Sequence, residues 1–361
     1  MKTKLILIFS LLLAFQQFAI AQLPSVVKVD GGKFHVQGLA FDKEKECFYF
    51  SFTSAFFKTD MEGNIIGSVS GINGHIGAMT FDPVGRKVYA SLELKDDAIG
   101  RNISEKLGAR SWTRDQSAFY VAEIDVDKIN SIGMSQDEVM HLHLIEEACK
   151  DYKASVQVRD SILDHRFACS GIDGVTIAPA FGGKRPGERY LYVAYGIYGD
   201  TLRSDNDYNV LLCYKLNDIG GRLQHKYFIH TGNTTWGVQN LAFDKASGKM
   251  FLAVYNGSKK QWPNYDLYAV ETSQTPFRGR LEGVPYLKGK VEQLSLSQDG
   301  IKDPSSGICG WNFKWGSTGL CPLGNGTFYI SVNGNEGGSQ FCKATLYHWT
   351  GDSLNPFEPI R

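Results

Sequence analysis

HVQGLAFD at residues 35–42 and GVQNLAFD at residues 237–244 are two copies of one phrase, set far apart in the chain. A third copy, HIGAMTFD, occupies residues 75–82. Each copy runs into a short turn and then into a second run of alternating apolar residues, Cys47 to Phe52, Lys249 to Tyr255 and Lys87 to Leu92. GIDGVTIA at 171–178 and GSTGLCP at 316–322 are weaker copies of the same opening. Small residues, a strand, a turn and a partner strand make a repeated β-hairpin. A hairpin that recurs at intervals along a chain is the mark of a repeat architecture.

Two more strands follow each hairpin. They are expected at Ala55 to Thr59 and Ile65 to Ser70, Ala118 to Val126 and Val139 to Ile145, Asn209 to Leu216 and Leu223 to His230, and Leu267 to Val270 and Lys290 to Leu296. The fifth unit has Ala344 to Trp349, but its tail, Leu354 to Ile360, carries two prolines and reads as a poor strand. Ser25 to Val29 supplies the missing outer strand instead. The N-terminal strand then closes the ring on the last blade and removes two open sheet edges. The expectation is an all-β chain forming a β-propeller of five four-stranded blades. A sixth blade would need strands hidden in residues 94–116 or 276–289. A sandwich would not repeat an inner-strand phrase in this way, and a solenoid would not carry such uneven insertions.

The phrases GLAFDKEKECFYFSF, GAMTFDPVGRKVYAS and NLAFDKASGKMFLAV resemble the repeats of the YVTN, NHL and SMP-30-like propellers. The resemblance spans nearly the whole chain after its N-terminal segment and implies the propeller fold. SMP-30-type lactonases carry a calcium-ligating Glu at the first inner-strand opening, where this chain has His35 and Gln37.

Residues 1–21 read as an export signal: Lys2 and Lys4, an apolar run from Leu5 to Phe18, and small residues at Ala19 and Ala21 ahead of Gln22. The apolar run is shorter than a bilayer span requires. Residues 22–361 are then one propeller domain, secreted or periplasmic and expected to be a monomer. Lys plus Arg and Asp plus Glu both number 38, so charge gives no reason to expect nucleic acid, and no membrane insertion is expected. Seven cysteines in an exported chain invite disulfides. Cys149 with Cys169, and Cys309 with Cys342, are the expected pairs, leaving Cys47, Cys213 and Cys321 as buried thiols.

In an up-and-down blade, the loop before the inner strand and the loop between strands two and three share one face. Most of the long insertions fall there, including residues 95–116, 149–170, 199–207 and 298–315. Long loops on a rigid scaffold carry function. The openings of the inner strands crowd round the channel mouth on that face. Aligning the copies places His35, His75, Gly171, Gly237 and Gly316 at one level and Gln37, Gly77, Asp173, Gln239 and Thr318 two residues on. Strand alternation turns both sets the same way. The alternative is a set of side chains that bond one another and plug the channel.

His35, His75, Asp173, Tyr198 and Arg203 are the candidate catalytic groups, with Gln37, Gln239, Trp236, Trp262, Trp315 and Thr318 as ligand contacts. Glu93, Asp97, Arg101, Asp205, Asp207 and Lys260 belong to the surrounding rim. Rim tryptophans suit the C–H faces of sugar rings. Three functions fit: a carbohydrate-active enzyme, a non-catalytic propeller binding a glycan or protein, and a metal-dependent lactonase-like hydrolase of small molecules. In a lyase, Arg or His neutralises a uronate carboxylate while Tyr or His removes the adjacent proton. A glycoside hydrolase needs two carboxylates about the bond, and Asp173 is alone at the centre, so the lyase fits slightly better. The third reading requires a divalent cation such as calcium near Asp173. No G-x-S-x-G elbow, H-E-x-x-H helix or phosphate loop is present.

Overall fold

The computed structural model describes residues 23–158, 160–183 and 187–361; the expected signal segment, 1–21, lies outside them. Antiparallel sheets arranged as five blades surround a central channel. The first blade is Gly38–Asp42, Cys47–Phe52, Ala55–Thr59 and Ile65–Ser70, from the axis outward. The second is His75–Asp82, Lys87–Leu94, Ala118–Asp125 and Met140–Leu144. The third is Cys169–Ala178, Tyr190–Ile197, Tyr208–Lys215 and His225–His230. The fourth has Thr234–Asp244, Lys249–Asn256 and Leu267–Glu271. The fifth runs Leu320–Pro322, Thr327–Glu336 and Ser339–Trp349, with Val26–Gly32 outermost.

That last strand is the ring closure the sequence predicts. Val26 pairs with Thr345 and Val29 with Cys342, antiparallel. The same third strand is long enough to take a second partner, and the proline-bearing tail also contributes: Phe357–Pro359 pairs with Tyr347 to Trp349. Val27 and Val29 pack with Phe41, Phe48, Phe50 and Tyr329 in the apolar seam between the fifth and first blades. The N-terminal strand therefore holds this joint shut, while Phe357 packs in the seam between the fourth and fifth blades.

The Phe-Asp that ends three of the inner strands has a structural cause. Asp42 Oδ1 accepts the N–H groups of Glu44 and Lys45 at 3.0 and 3.2 Å, fixing its own turn. Its Oδ2 accepts from Arg86 of the second blade at 2.7 Å. Asp82 repeats this with Val84 N–H at 3.0 Å and with Arg189 of the third blade. Asp244 accepts Ser247 N–H at 2.8 Å and Gly326 N–H of the fifth blade at 3.3 Å. Each buried carboxylate shapes a turn and ties its blade to the next.

Several expectations need correction. Val291–Leu294 is not the outer strand of the fourth blade. It runs parallel to Tyr227 to Ile229 and extends the third blade, with Phe277–Gly279 beyond it. The outer edge of Leu267–Glu271 is covered instead by Trp311, whose N–H donates to Leu267 O at 2.9 Å, and by Ser297, whose N–H donates to Ala269 O at 2.8 Å. Among the described residues there is no sixth blade: residues 94–116 contain the helix Ala98–Leu107, and the strand in 276–289, Phe277–Gly279, belongs to the third-blade sheet. All seven cysteines are free thiols. Cys169 Sγ faces the carbonyls of Ala148 and Gly171, and Cys342 Sγ faces Ser331 Oγ, so neither expected disulfide forms. Among the described residues no helix is long and apolar enough to cross a membrane.

The helix Ala98–Leu107 lies in the loop between strands two and three of the second blade. Asp97 caps it by accepting Gly100 N–H at 2.8 Å, and Gly108 ends it in the left-handed conformation at φ 64°. Its Ile103 side is buried and leans over the channel mouth.

Candidate functional site

Three inner strands break their ladders at the same height. Register shifts fall between Ile76 and Met79, between Ile172 and Val175, and between Thr235 and Val238. Bulges at the rim of a closed sheet system re-aim side chains, and here they turn His75, Asp173 and Gln239 into one space. Trp236 and Thr53, on the wall of that space, hold left-handed backbones at φ 63° and 52°. Non-glycine residues in that region cost about 1–2 kcal/mol each and gather at functional sites.

The space is a cavity of about 480 Å³ at the channel mouth. His35, Gln37, His75, Asp173 and Gln239 line it, under a roof formed by Phe34 and the helix residues Ile99, Asn102 and Lys106. Trp236 and Tyr255 form an aromatic wall. His75, Asp173 and Gln239 remain 6–7% exposed, enough to mark them as reachable from the mouth. The channel is stoppered below by Asn240, whose Nδ2 donates to Gln37 O at 3.0 Å and Ser317 O at 2.9 Å. The predicted ring of polar side chains is thus a pocket above and a plug beneath.

Glu93, which the sequence reading left on the rim, lies buried beside His75. It is 2% exposed and stands directly opposite His75 in the ladder. Its carboxylate takes three donors: Ile172 N–H at 2.9 Å, Lys95 Nζ at 2.8 Å and His75 Nδ1 at 3.1 Å. With Nδ1–H donated to Glu93, the tautomer of His75 is set, and its buried Nε2 has no protein partner. Lys95 Nζ also donates to Ser170 O at 3.2 Å and lies 3.6 Å from Asp97. Burial works against the ammonium, but the nearby carboxylates, Glu93 first and then Asp97, outweigh it and raise the Lys95 pKa well above its ordinary range.

Asp173 is the second pole. Its Oδ2 accepts from Gln239 Nε2 at 3.0 Å. Burial first, and then the nearby negative charge of Glu93, push its carboxyl well above the usual range, with Lys95 and Gln239 opposing. Gly196 makes room for it: a Cβ there would lie 2.9 Å from Asp173 Oδ2. His35 accepts from Gln37 Nε2 at 2.7 Å. Its pKa is lowered to about 4, by burial first and then by the neighbouring His75 and Lys106.

Other candidates lie elsewhere. Tyr198 stands behind the wall, its hydroxyl 3.3 Å from Asp97 and its ring against Trp236. Arg203 is committed to Asp205 and to the carbonyls of Asp164 and His165, away from the cavity. Asp205 and Asp207 are consumed by Arg203 and Lys259, so the pair is an ionic loop clamp. Trp262 packs on His230, and Trp315 faces Lys314 and the seam between the fourth and fifth blades. Thr318 bonds Ser331 and Asn333 at 3.1 and 3.2 Å inside the fifth blade. Of the three candidate tryptophans, Trp236 alone lines the cavity.

No protein-family model matches this sequence, and no curated protein does. Among solved structures, the chain is similar at 10% identity and a TM-score of 0.37 to a functionally unknown protein from Desulfotomaculum acetoxidans, covering 90% of this chain and 69% of that one. A gluconolactonase from Xanthomonas campestris is similar at 10% identity and a TM-score of 0.32, over 90% and 91% of the two chains. A luciferin-regenerating enzyme is similar at 11% identity and 0.35, over 90% and 96%.

Proposed function

We propose that the channel mouth is the active site of an exported carbohydrate-active enzyme that works by general acid–base catalysis, in its lyase form. One observation carries this reading: His75 Nε2, buried and unpartnered, shares a cavity with the carboxyl group of Asp173, which burial and the charge of Glu93 push above the usual range. A ring nitrogen without a hydrogen-bond partner beside a carboxyl of raised pKa is the arrangement an acid–base pair needs. Ligand atoms of His75 and Asp173 lie within 4.8 Å of one another, so a single sugar unit can touch both.

In the proposed reaction His75 Nε2 removes the proton on the carbon next to a uronate carboxylate. The Nδ1–H bond to Glu93 holds the ring in place and stabilises the imidazolium that forms. Asp173 gives its proton to the departing glycosidic oxygen, so that the C–O bond breaks as the C=C bond forms. Arg203, the sequence candidate for the substrate carboxylate, is out of reach; Lys106 takes that role from the roof. Trp236, Tyr255 and Phe34 offer the apolar faces against which a sugar ring packs. Glu93 lies beneath His75 with its oxygens taken, which leaves no second carboxylate to flank a bond as glycoside hydrolysis requires.

The test is a panel of acidic and neutral glycans, read by absorbance of unsaturated uronate and by reducing ends. The expected result is an unsaturated product from one acidic glycan, lost in His75→Ala and Asp173→Asn with the fold intact by circular dichroism. Saturable binding of a glycan with neither product would replace the enzyme by a binding propeller. Reducing ends without unsaturation would replace the lyase by a hydrolase.

A further inference from the structure

His75, Glu93 and Asp173 bring potential ligand atoms within 4.8 Å of one another, close enough to grip a metal ion. The same floor already holds a cation. Lys95 is 4% exposed, and its Nζ is surrounded by oxygen: Glu93 Oε2 at 2.8 Å, Ser170 O at 3.2 Å and Asp97 Oδ2 at 3.6 Å. Two carboxylates and a backbone carbonyl are the donors a hard divalent ion takes. They reach Nζ from two blades, Glu93 and Asp97 from the second and Ser170 from the opening of the third.

We propose that Lys95 is a resident cation: its ammonium fills the position a divalent ion would take, so the wild-type channel binds no metal, and removing that ammonium opens a latent metal site. Three observations support this. Both Glu93 oxygens are already engaged, because Oε1 accepts Ile172 N–H and Oε2 accepts both Lys95 and His75. An ion seated between His75 Nε2 and Asp173 would also stand close to Nζ in a buried site, where like charges repel strongly. Finally, the ammonium is buried, with Lys95 only 4% exposed, so water screens its charge little. The gluconolactonase-type reading, with a metal near Asp173, therefore does not fit the residues present. The inference concerns the pocket of the proposed lyase but does not depend on turnover.

Mn²⁺ titration followed by loss of the free-ion electron paramagnetic resonance signal tests it, together with elemental analysis of the purified wild-type protein. Lys95→Ala and Lys95→Gln are compared with wild type, their folds checked by circular dichroism. The expected result is one Mn²⁺ bound per folded variant, at least about a hundredfold tighter than by wild type, because the competing charge is gone. A stoichiometric divalent ion in purified wild type overturns the proposal. So does Mn²⁺ binding by wild type that matches the variants, or a folded variant that binds none. One folded variant is enough to decide it, and all these readouts stand even if no glycan is ever cleaved.

Discussion

Replacing Glu93 by Gln removes one charge from a fully buried pair and leaves Lys95 with Ser170 O at 3.2 Å and Asp97 at 3.6 Å. Removing one partner of a buried ion pair costs about 3–5 kcal/mol. The remaining partners put this substitution at the lower end, about 3 kcal/mol. An unfolding entropy of about 2.1 cal/mol/K per residue gives roughly 0.7 kcal/mol/K for a propeller of this length, so Tm falls by about 4 °C. Lys95→Met leaves the Glu93 carboxylate with two donors instead of three and has a similar cost, about 3 kcal/mol. The double variant Glu93→Gln/Lys95→Met strands neither charge, so it loses about 3–4 kcal/mol rather than the sum of the two, a coupling of about 2–3 kcal/mol. Guanidinium unfolding of the four proteins, with Tm as a second measure, completes the cycle. Additive losses, or a Glu93→Gln protein as stable as wild type, would refute the picture of a buried charge pair beneath His75.

Three further outcomes are expected. Asp173 has a raised pKa in the folded state, so the folded protein holds its proton more tightly than the unfolded chain. That stability is present below the unfolded value of about 3.9 and is lost as pH climbs through the folded value. Asp173→Asn is therefore the more stable protein at neutral pH, with a Tm advantage that shrinks towards pH 4; a constant gap would contradict it. His35 should titrate by NMR with a midpoint of about 4, against the ordinary 6.5, and Lys106→Ala should move that midpoint up, because Lys106 is one of the charges holding it down. Asp42→Ala loses its turn contacts and its bond to Arg86, and should cost about 2–3 kcal/mol in denaturant unfolding while leaving ligand binding at the mouth unchanged.

The scaffold was legible because its cause is repeated. Every Phe-Asp does the same job at the end of an inner strand, and the alternation that follows it is the pattern of a buried second strand. The N-terminal closure could be read from an unpaired strand at one end and a missing one at the other. The fourth blade was misread because its outer edge is not a strand by composition. Trp311 covers it through an isolated bridge to Leu267 and Ser297 through one backbone bond, while the apolar run at Val291–Leu294 pairs with the third blade. The disulfide expectation failed because spacing and compartment say nothing about where sulfur atoms point.

Glu93 was missed for a reason that applies to the whole site. Asp82 pairs with Lys87 across the turn, and counting back along an unbroken ladder puts Leu94 opposite His75. The bulge between Ile76 and Met79 slips that ladder by one residue and brings Glu93 there instead. Bulges leave little trace in composition, so alternation is followed correctly up to the point where the chemistry begins. A ring of repeats offers equivalent positions to the axis, but a sugar has no matching symmetry, so a pocket that acts on one must fill those positions differently. At one level the second blade presents Gly77, the third Asp173 and the fourth Gln239. The repeat identifies the scaffold by what its copies share, whereas Asp173, the proposed acid, and Glu93, the carboxylate beneath His75, lie where the copies differ.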